Sequence, residues 1–211
     1  KLCQKHSTQQ DEPVLVKVGI SAVDMEGAKK NLEAEIPDWN FDKVRKDARQ
    51  AWNQYLSKND VTTNNETDKT IFYTSMYHTA ISPNLFIDVD GRYWGMDRTV
   101  HQGDIDKPIY TTFSLWDTFR ALHPLLSIIE PQMNNDFIYS LLQKHKEGGI
   151  FPMWDLASNY TGTMIGYHAV SLIADAYTKG YANFDLNEAY KASLRAAEYD
   201  TTGIVCPALV L

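Results

Sequence analysis

The sequence predicts a mainly α-helical domain with one small β-hairpin and one leading strand. Three observations carry that class. Apolar residues recur about one helical turn apart along most of the chain. Proline or glycine punctuates most of those runs. Only residues 84–97 place β-branched and aromatic residues on both sides of a tight-turn dipeptide, Asp90-Gly91.

The elements follow in order. Residues 1–12 are polar and expected to be poorly ordered. Residues 14–19 (VLVKVG) alternate as a strand does. Ser21 and Asp24 resemble a capping box for a helix with Met25, Ala28 and Leu32 on one face. Pro37 breaks that helix, and Asn40 caps the next, in which Phe41, Val44, Ala48, Trp52 and Tyr55 share a face. Residues 57–68 form a polar loop. Residues 70–81 form a helix ended by Pro83, the hairpin covers 84–97, and 98–108 are a loop.

The clearest helix covers 115–129. Leu115, Phe119, Leu122, Leu126 and Ile129 fall on one stripe, and Pro131 closes it. A helix over 134–146 stops at Gly148-Gly149. Residues 150–161 are a loop, followed by a helix over 163–179 that is apolar nearly all round and stops at Gly180. Asp185 and Glu188 then cap a helix with Leu186, Ala189, Tyr190 and Leu194. Helix pairs joined by short connectors, with two elaborated loops, make a scaffold that carries a site on one rim.

Composition narrows the function. A 44% hydrophobic content in 211 residues gives a globular core. The net charge of −7, with no basic run, argues against nucleic acid. No apolar stretch is long enough to span a membrane. Cys3 and Cys206 form neither a CxxC motif nor a disulfide framework. The apolar run at 204–211 suggests a piece cut from a longer polypeptide.

The candidate chemistry lies in the loops. Trp116 and Asp117 sit side by side where the helix over 115–129 starts, off its apolar stripe. An indole face and a fixed carboxylate can cover a sugar ring and accept its hydroxyls. Asp117 could equally be an acid favoured by the helix dipole and paired with Arg120. The pairing recurs at Trp154–Asp155, and Asp97 follows Trp94 by three residues. Asp88, Asp90, Asp97, Asp104 and Asp106 could line a calcium site or merely serve turns. His168 reads as a core residue or a ligand. No zinc spacing, P-loop, dinucleotide fingerprint or nucleophile elbow is present.

Residues 72–97 (FYTSMYHTAISPNLFIDVDGRYWGMD), 110–126 (YTTFSLWDTFRALHPLL), 135–170 (NDFIYSLLQKHKEGGIFPMWDLASNYTGTMIGYHAV) and the block IADAYTKG together resemble the catalytic domain of glycoside hydrolase family 92. These are calcium-dependent exo-acting α-mannosidases. The resemblance implies part of an (α/α)6 toroid and an inverting attack on terminal α-mannosides of glycans. It implies the end of an N-terminal β-sandwich over 1–20, linker helices over 21–66 and the first part of the catalytic domain over 67–211. It implies that Trp116 and Asp117 line the terminal-sugar subsite, with Asp97, Trp154 and Asp155 on neighbouring rim segments. Asp155 and Tyr160 depart from a glutamate common in the family. The acid, the base and the Ca2+ ligands are expected beyond Leu211, so this segment holds no metal ligand and is expected to be inactive alone. A periplasmic, secreted or cell-surface bacterial location follows. Another (α/α)6 glycosidase, or a helical module that holds glycans without cleaving them, are the alternatives.

Overall fold

The computed structural model describes residues 12–198. The polar start, Cys3, Cys206 and the apolar run 204–211 lie outside the described residues. Eight helices and seven short strands occupy the described part. They are α1 (Met25–Glu35), α2 (Phe41–Leu56), α3 (Glu66–Thr79), β1 (Asn84–Leu85), β2 (Arg92–Trp94), β3 (Val100–Gln102), β4 (Tyr110–Thr111), β5 (Phe113–Ser114), α4 (Leu115–Thr118), α5 (Leu122–Ile129), α6 (Pro131–Gly148), β6 (Trp154–Leu156), β7 (Asn159–Tyr160), α7 (Ala169–Thr178) and α8 (Leu186–Ala197). The mainly helical class is as the sequence predicts.

The core forms where the apolar stripes meet. Leu115, Leu126, Phe137, Ile138, Leu141, Phe151, Leu172 and Ile173 are buried together, with Phe119, Leu122 and Ile129 packed against them. Every residue of the stripe read over 115–129 therefore faces this core. The helix itself is broken, however, between α4 and α5. Pro124 has no N–H for the Arg120 carbonyl, and its ring would strike that carbonyl in a continuous helix. Proline is tolerated where it stands, in the first turn of α5.

Capping set several boundaries. Asp24, not Ser21, is the N-cap of α1, and its side chain accepts from the Gly27 amide at 2.7 Å. Asn40 accepts from the Lys43 amide, and Asp185 from those of Asn187 and Glu188. Pro131 does not merely close the preceding helix; it opens α6, where its missing N–H costs nothing. Gly149, at φ 80°, gives α6 its left-handed stop.

Four expectations are corrected. Residues 14–19 form no strand, because no described segment pairs with them; Val16 and Val18 remain 76% and 71% exposed. The tight turn at Asp90-Gly91 exists, closed by Gly91 N–H to Asp88 O at 2.8 Å. The ladder nonetheless runs between β2 and β3, inside the predicted loop, and β1 pairs with β4. The loop 150–161 carries β6 and β7, which join β5 in a three-stranded sheet. The helix over 163–179 begins only at Ala169, since Gly162, Met164 and Gly166 all take positive φ. Met164, Ile165 and Tyr177 are exposed, so that segment is not apolar packing on every face.

Candidate functional site

The three-stranded sheet brings the two Trp–Asp pairs together. Antiparallel register sets Ser114 opposite Trp154 and Phe113 opposite Asp155. From that register the Trp154 indole Nε1 donates to Ser114 Oγ at 2.7 Å. Ser114 Oγ in turn donates to Asp117 Oδ2 at 2.5 Å, within the range of a hydroxyl bound to a carboxylate. Asp117 is exposed and Trp116 half-buried, one residue off the buried Leu115.

Trp116 stands in a stack of rings. The His168 ring lies 5.3 Å from it, tilted, and stacks on Phe119 at 4.1 Å and 11°. The Arg120 guanidinium lies over Trp116 at 5.2 Å and over Phe119 at 5.1 Å. Arg120 thus serves the rings, and the Asp117–Arg120 pair allowed by their spacing is not formed. His168 caps α7 rather than lying inside it. Its Nε2 is buried without a hydrogen-bond partner among the described residues, and burial, with Arg120 nearby, holds its pKa below the ordinary value. Gly166 leaves room for this ring: a Cβ there would lie 2.4 Å from His168 Nε2.

Asp155 does not share the rim with them. It is fully buried, and the strand pleat that turns Trp154 outward turns Asp155 into the protein. Its Oδ2 accepts from Thr111 Oγ1 at 2.7 Å and faces Lys144 Nζ at 3.2 Å, itself only 1% exposed. Lys144 also donates to Ser158 Oγ at 3.1 Å. Burial pushes the Asp155 pKa up against the pull of Lys144 and Thr111, and pushes that of Lys144 down against the pull of Asp155. On this geometry Asp155 is an interior anchor rather than a sugar ligand.

Asp97 sits exposed at the tip of the β2–β3 hairpin. It accepts from Thr99 Oγ1 at 2.9 Å and contacts His101 Nε2 at 3.0 Å, both in its own hairpin. Partial burial would raise its pKa, but the bonds from His101 and Thr99 outweigh it and hold the carboxyl below the ordinary value. Glu147 on α6 fixes this hairpin, accepting from Tyr93 OH at 2.7 Å and the Met96 amide at 2.9 Å. None of these contacts joins Asp97 to Trp116, Asp117 or Trp154.

The acids before it are structural. Asp88 is buried and accepts from Ser21 Oγ and Asn31 Nδ2, at 2.7 and 2.8 Å. Asp90 pairs with Lys30 and Arg92. Among the described residues no three His, Cys, Asp or Glu side chains converge as a metal site would need. The acids over 88–106 therefore do not fit a bound calcium ion.

Ser114, Lys144 and the ring stack were not singled out from the sequence. The S-L-W-D run at 114–117 has the capping-box spacing, which could have flagged Ser114. Lys144 gave no signal, because nothing in a helical sequence marks which lysine will be buried.

Comparison with known proteins supplies the family. The pattern of the glycosyl hydrolase family 92 catalytic domain matches residues 27–206. The chain is similar to a family GH92 α-mannosidase from Bacteroides thetaiotaomicron, at 37% identity and TM-score 0.80, over 86% of this chain and 24% of that one. The same match holds for that enzyme in complex with mannoimidazole. A family GH92 inverting mannosidase from the same organism matches at 29% identity and TM-score 0.80, over 88% of this chain and 25% of that chain. An uncharacterized secreted glycosidase from Arthroderma benhamiae is 29% identical over 192 residues, 89% of this chain and 20% of the relative. The chain thus spans about a fifth to a quarter of the length of these relatives. No helix among the described residues is long and apolar enough to cross a membrane.

Proposed function

The chain belongs to glycosyl hydrolase family 92, and from that premise we propose that it is part of an inverting exo-α-mannosidase acting on terminal α-mannosides of glycans. Residues 1–20 end an N-terminal β-sandwich, 21–66 are linker helices, and 67–211 begin an (α/α)6 toroid. In this reading the rim built by Trp116, Asp117 and Trp154 is one wall of the terminal-mannose pocket. The observation that carries it is the linked set Trp154 Nε1, Ser114 Oγ and Asp117 Oδ2 beside a half-buried indole. A held carboxylate accepts sugar hydroxyls, and a supported ring face covers the apolar side of the sugar. Asp97, at the tip of the β2–β3 hairpin, is assigned as a second contact.

Inversion needs an acid and a base about 6.5–9.5 Å apart with a water between them. We assign both to the portion of the relatives that this chain does not cover. Calcium enters through the family alone. Its ligands are assigned beyond Leu211. Similarity to a secreted glycosidase supports a secreted protein; a periplasmic or cell-surface place in a bacterium is assigned from the family alone.

The test uses the full-length enzyme. It should cleave an aryl α-mannoside and an α-1,2-mannobiose, leave the matching α-glucosides, and release the inverted anomer first by NMR. Glucoside cleavage would favour another (α/α)6 glycosidase, and glycan binding without turnover a binding module. Asp117→Asn removes a charged acceptor, worth about 1.5–3 kcal/mol, so kcat/KM should fall roughly 10- to 150-fold. A change under about threefold would return Asp117 to the bland role of a helix-start residue.

A further inference from the structure

We infer that Ser114 and Trp154 are positioning residues for Asp117: the indole N–H locks the Ser114 hydroxyl so that it donates to Asp117 Oδ2, leaving Oδ1 for a sugar hydroxyl. This deepens the reading of the rim as a mannose wall and rests on it. The direction of each bond follows from proton counting. An indole nitrogen only donates, so at 2.7 Å Ser114 Oγ must accept. A hydroxyl has one proton, and at 2.5 Å the remaining partner is the Asp117 carboxylate. The relay therefore has one polarity, from ring to hydroxyl to carboxylate, and the carboxylate cannot swing without breaking it.

Two further observations point the same way. Ser114 is the N-cap of α4, yet its side chain makes no cap hydrogen bond. A serine there ordinarily satisfies an amide of the first turn. Here the hydroxyl is diverted to a side chain, which does nothing for the helix end but fixes an exposed acid. The donor is also held from behind. Trp154 is directly opposite Ser114, and the next pair in the ladder ends in Asp155, anchored by Thr111 and Lys144 in the interior. A one-residue slip of β6 would turn Trp154 inward and expose Asp155, so the buried pair sets the relay's register. Trp154 thus acts on Asp117 through its N–H.

A double-mutant cycle on the full-length enzyme separates this role from a staple between β6 and α4. With an aryl α-mannoside, Ser114→Ala should lower kcat/KM about tenfold, the loss of one charge-assisted hydrogen bond. In an Asp117→Ala background the same change should cost less than about twofold, since its target is gone. Trp154→Phe keeps a ring, deletes the N–H, and should show the same dependence on Asp117. Ser114→Thr keeps a hydroxyl and should recover most of the loss. Equal Ser114→Ala losses in both backgrounds, no loss in the wild type, or a Thr variant as impaired as Ala would each overturn the inference. A wild-type enzyme inert towards mannosides would sink the reading of the site and this inference with it. An active enzyme with equal losses would sink only the inference.

Discussion

Lys144→Met is the most informative perturbation of the fold, because it leaves one buried charge without its partner. Lys144 Nζ and Asp155 Oδ2 are 3.2 Å apart, with side chains 1% and 0% exposed. At an effective dielectric constant of about 20, that separation is worth roughly 5 kcal/mol of attraction. Taking each ion out of water costs several kcal/mol, so the intact pair is close to break-even. The variant keeps the desolvation of Asp155 and loses the attraction, while Met fills most of the space. The expected cost is about 3–5 kcal/mol at neutral to alkaline pH.

The pH dependence identifies the cause. Burial already raises the Asp155 pKa, and the Lys144 charge opposes that rise. Without the lysine the folded-state pKa climbs further above the unfolded value. A group shifted in that direction binds more protons when folded, so its favourable contribution is present at low pH and lost as pH rises through the folded pKa. The Lys144→Met deficit should therefore be small near pH 5 and large near pH 8. Thermal unfolding of the intact protein at the two pH values measures it, and hydrogen exchange over 154–160 localises it. Lys144→Met/Asp155→Asn removes the orphaned charge and should recover part of the loss. A deficit under about 1 kcal/mol at pH 8, or one equal at both pH values, would refute the reasoning.

Two further outcomes follow from named groups. Burial lowers the His123 pKa from 6.5 to about 4, against a weaker opposing pull from the Asn134 side chain. The unfolded chain then binds the extra proton between those values, so stability should fall as pH drops from about 6.5 towards 4, by up to about 1.4 kcal/mol per pH unit. His123→Leu should flatten that limb of a stability-against-pH curve; an unchanged slope would assign the acid sensitivity to other groups. Gly166→Ala puts a Cβ 2.4 Å from His168 Nε2 at a φ of +84°. It should destabilise by more than about 1 kcal/mol and disturb the Trp116 environment; near-ultraviolet circular dichroism identical to the wild type would count against the stack.

Much of the fold was legible in the chain because its signals are local. The stripe through Leu115, Phe119, Leu122, Leu126 and Ile129 named the core face correctly even though Pro124 splits the helix. Asn40, Asp185, Gly149 and Gly180 marked helix ends through chemistry that acts within one turn. What failed was pairing. Residues 14–19 alternate like a strand but pair with no described strand, while β6–β7 form around Ala157 and Ser158, at φ 50° and 55°, without the Asn-Gly such a turn favours. The Ser158 amide reaches Thr111 Oγ1 at 3.3 Å and its hydroxyl reaches Lys144, so distant side chains support that turn.

The candidate site divides along the same line. Sequence alone identified Trp116, Asp117 and the family blocks, because a residue's chemistry and its order in the chain are written there. Only the tertiary structure decided that Trp154 bonds to Ser114 and that Asp155, one residue on, pairs with Lys144 in the interior. A strand sends neighbouring side chains to opposite faces, and which face meets the rim is set by the partner strand. The sequence therefore determined which groups the protein owns, and the packing of sheet on helix decided which of them meet.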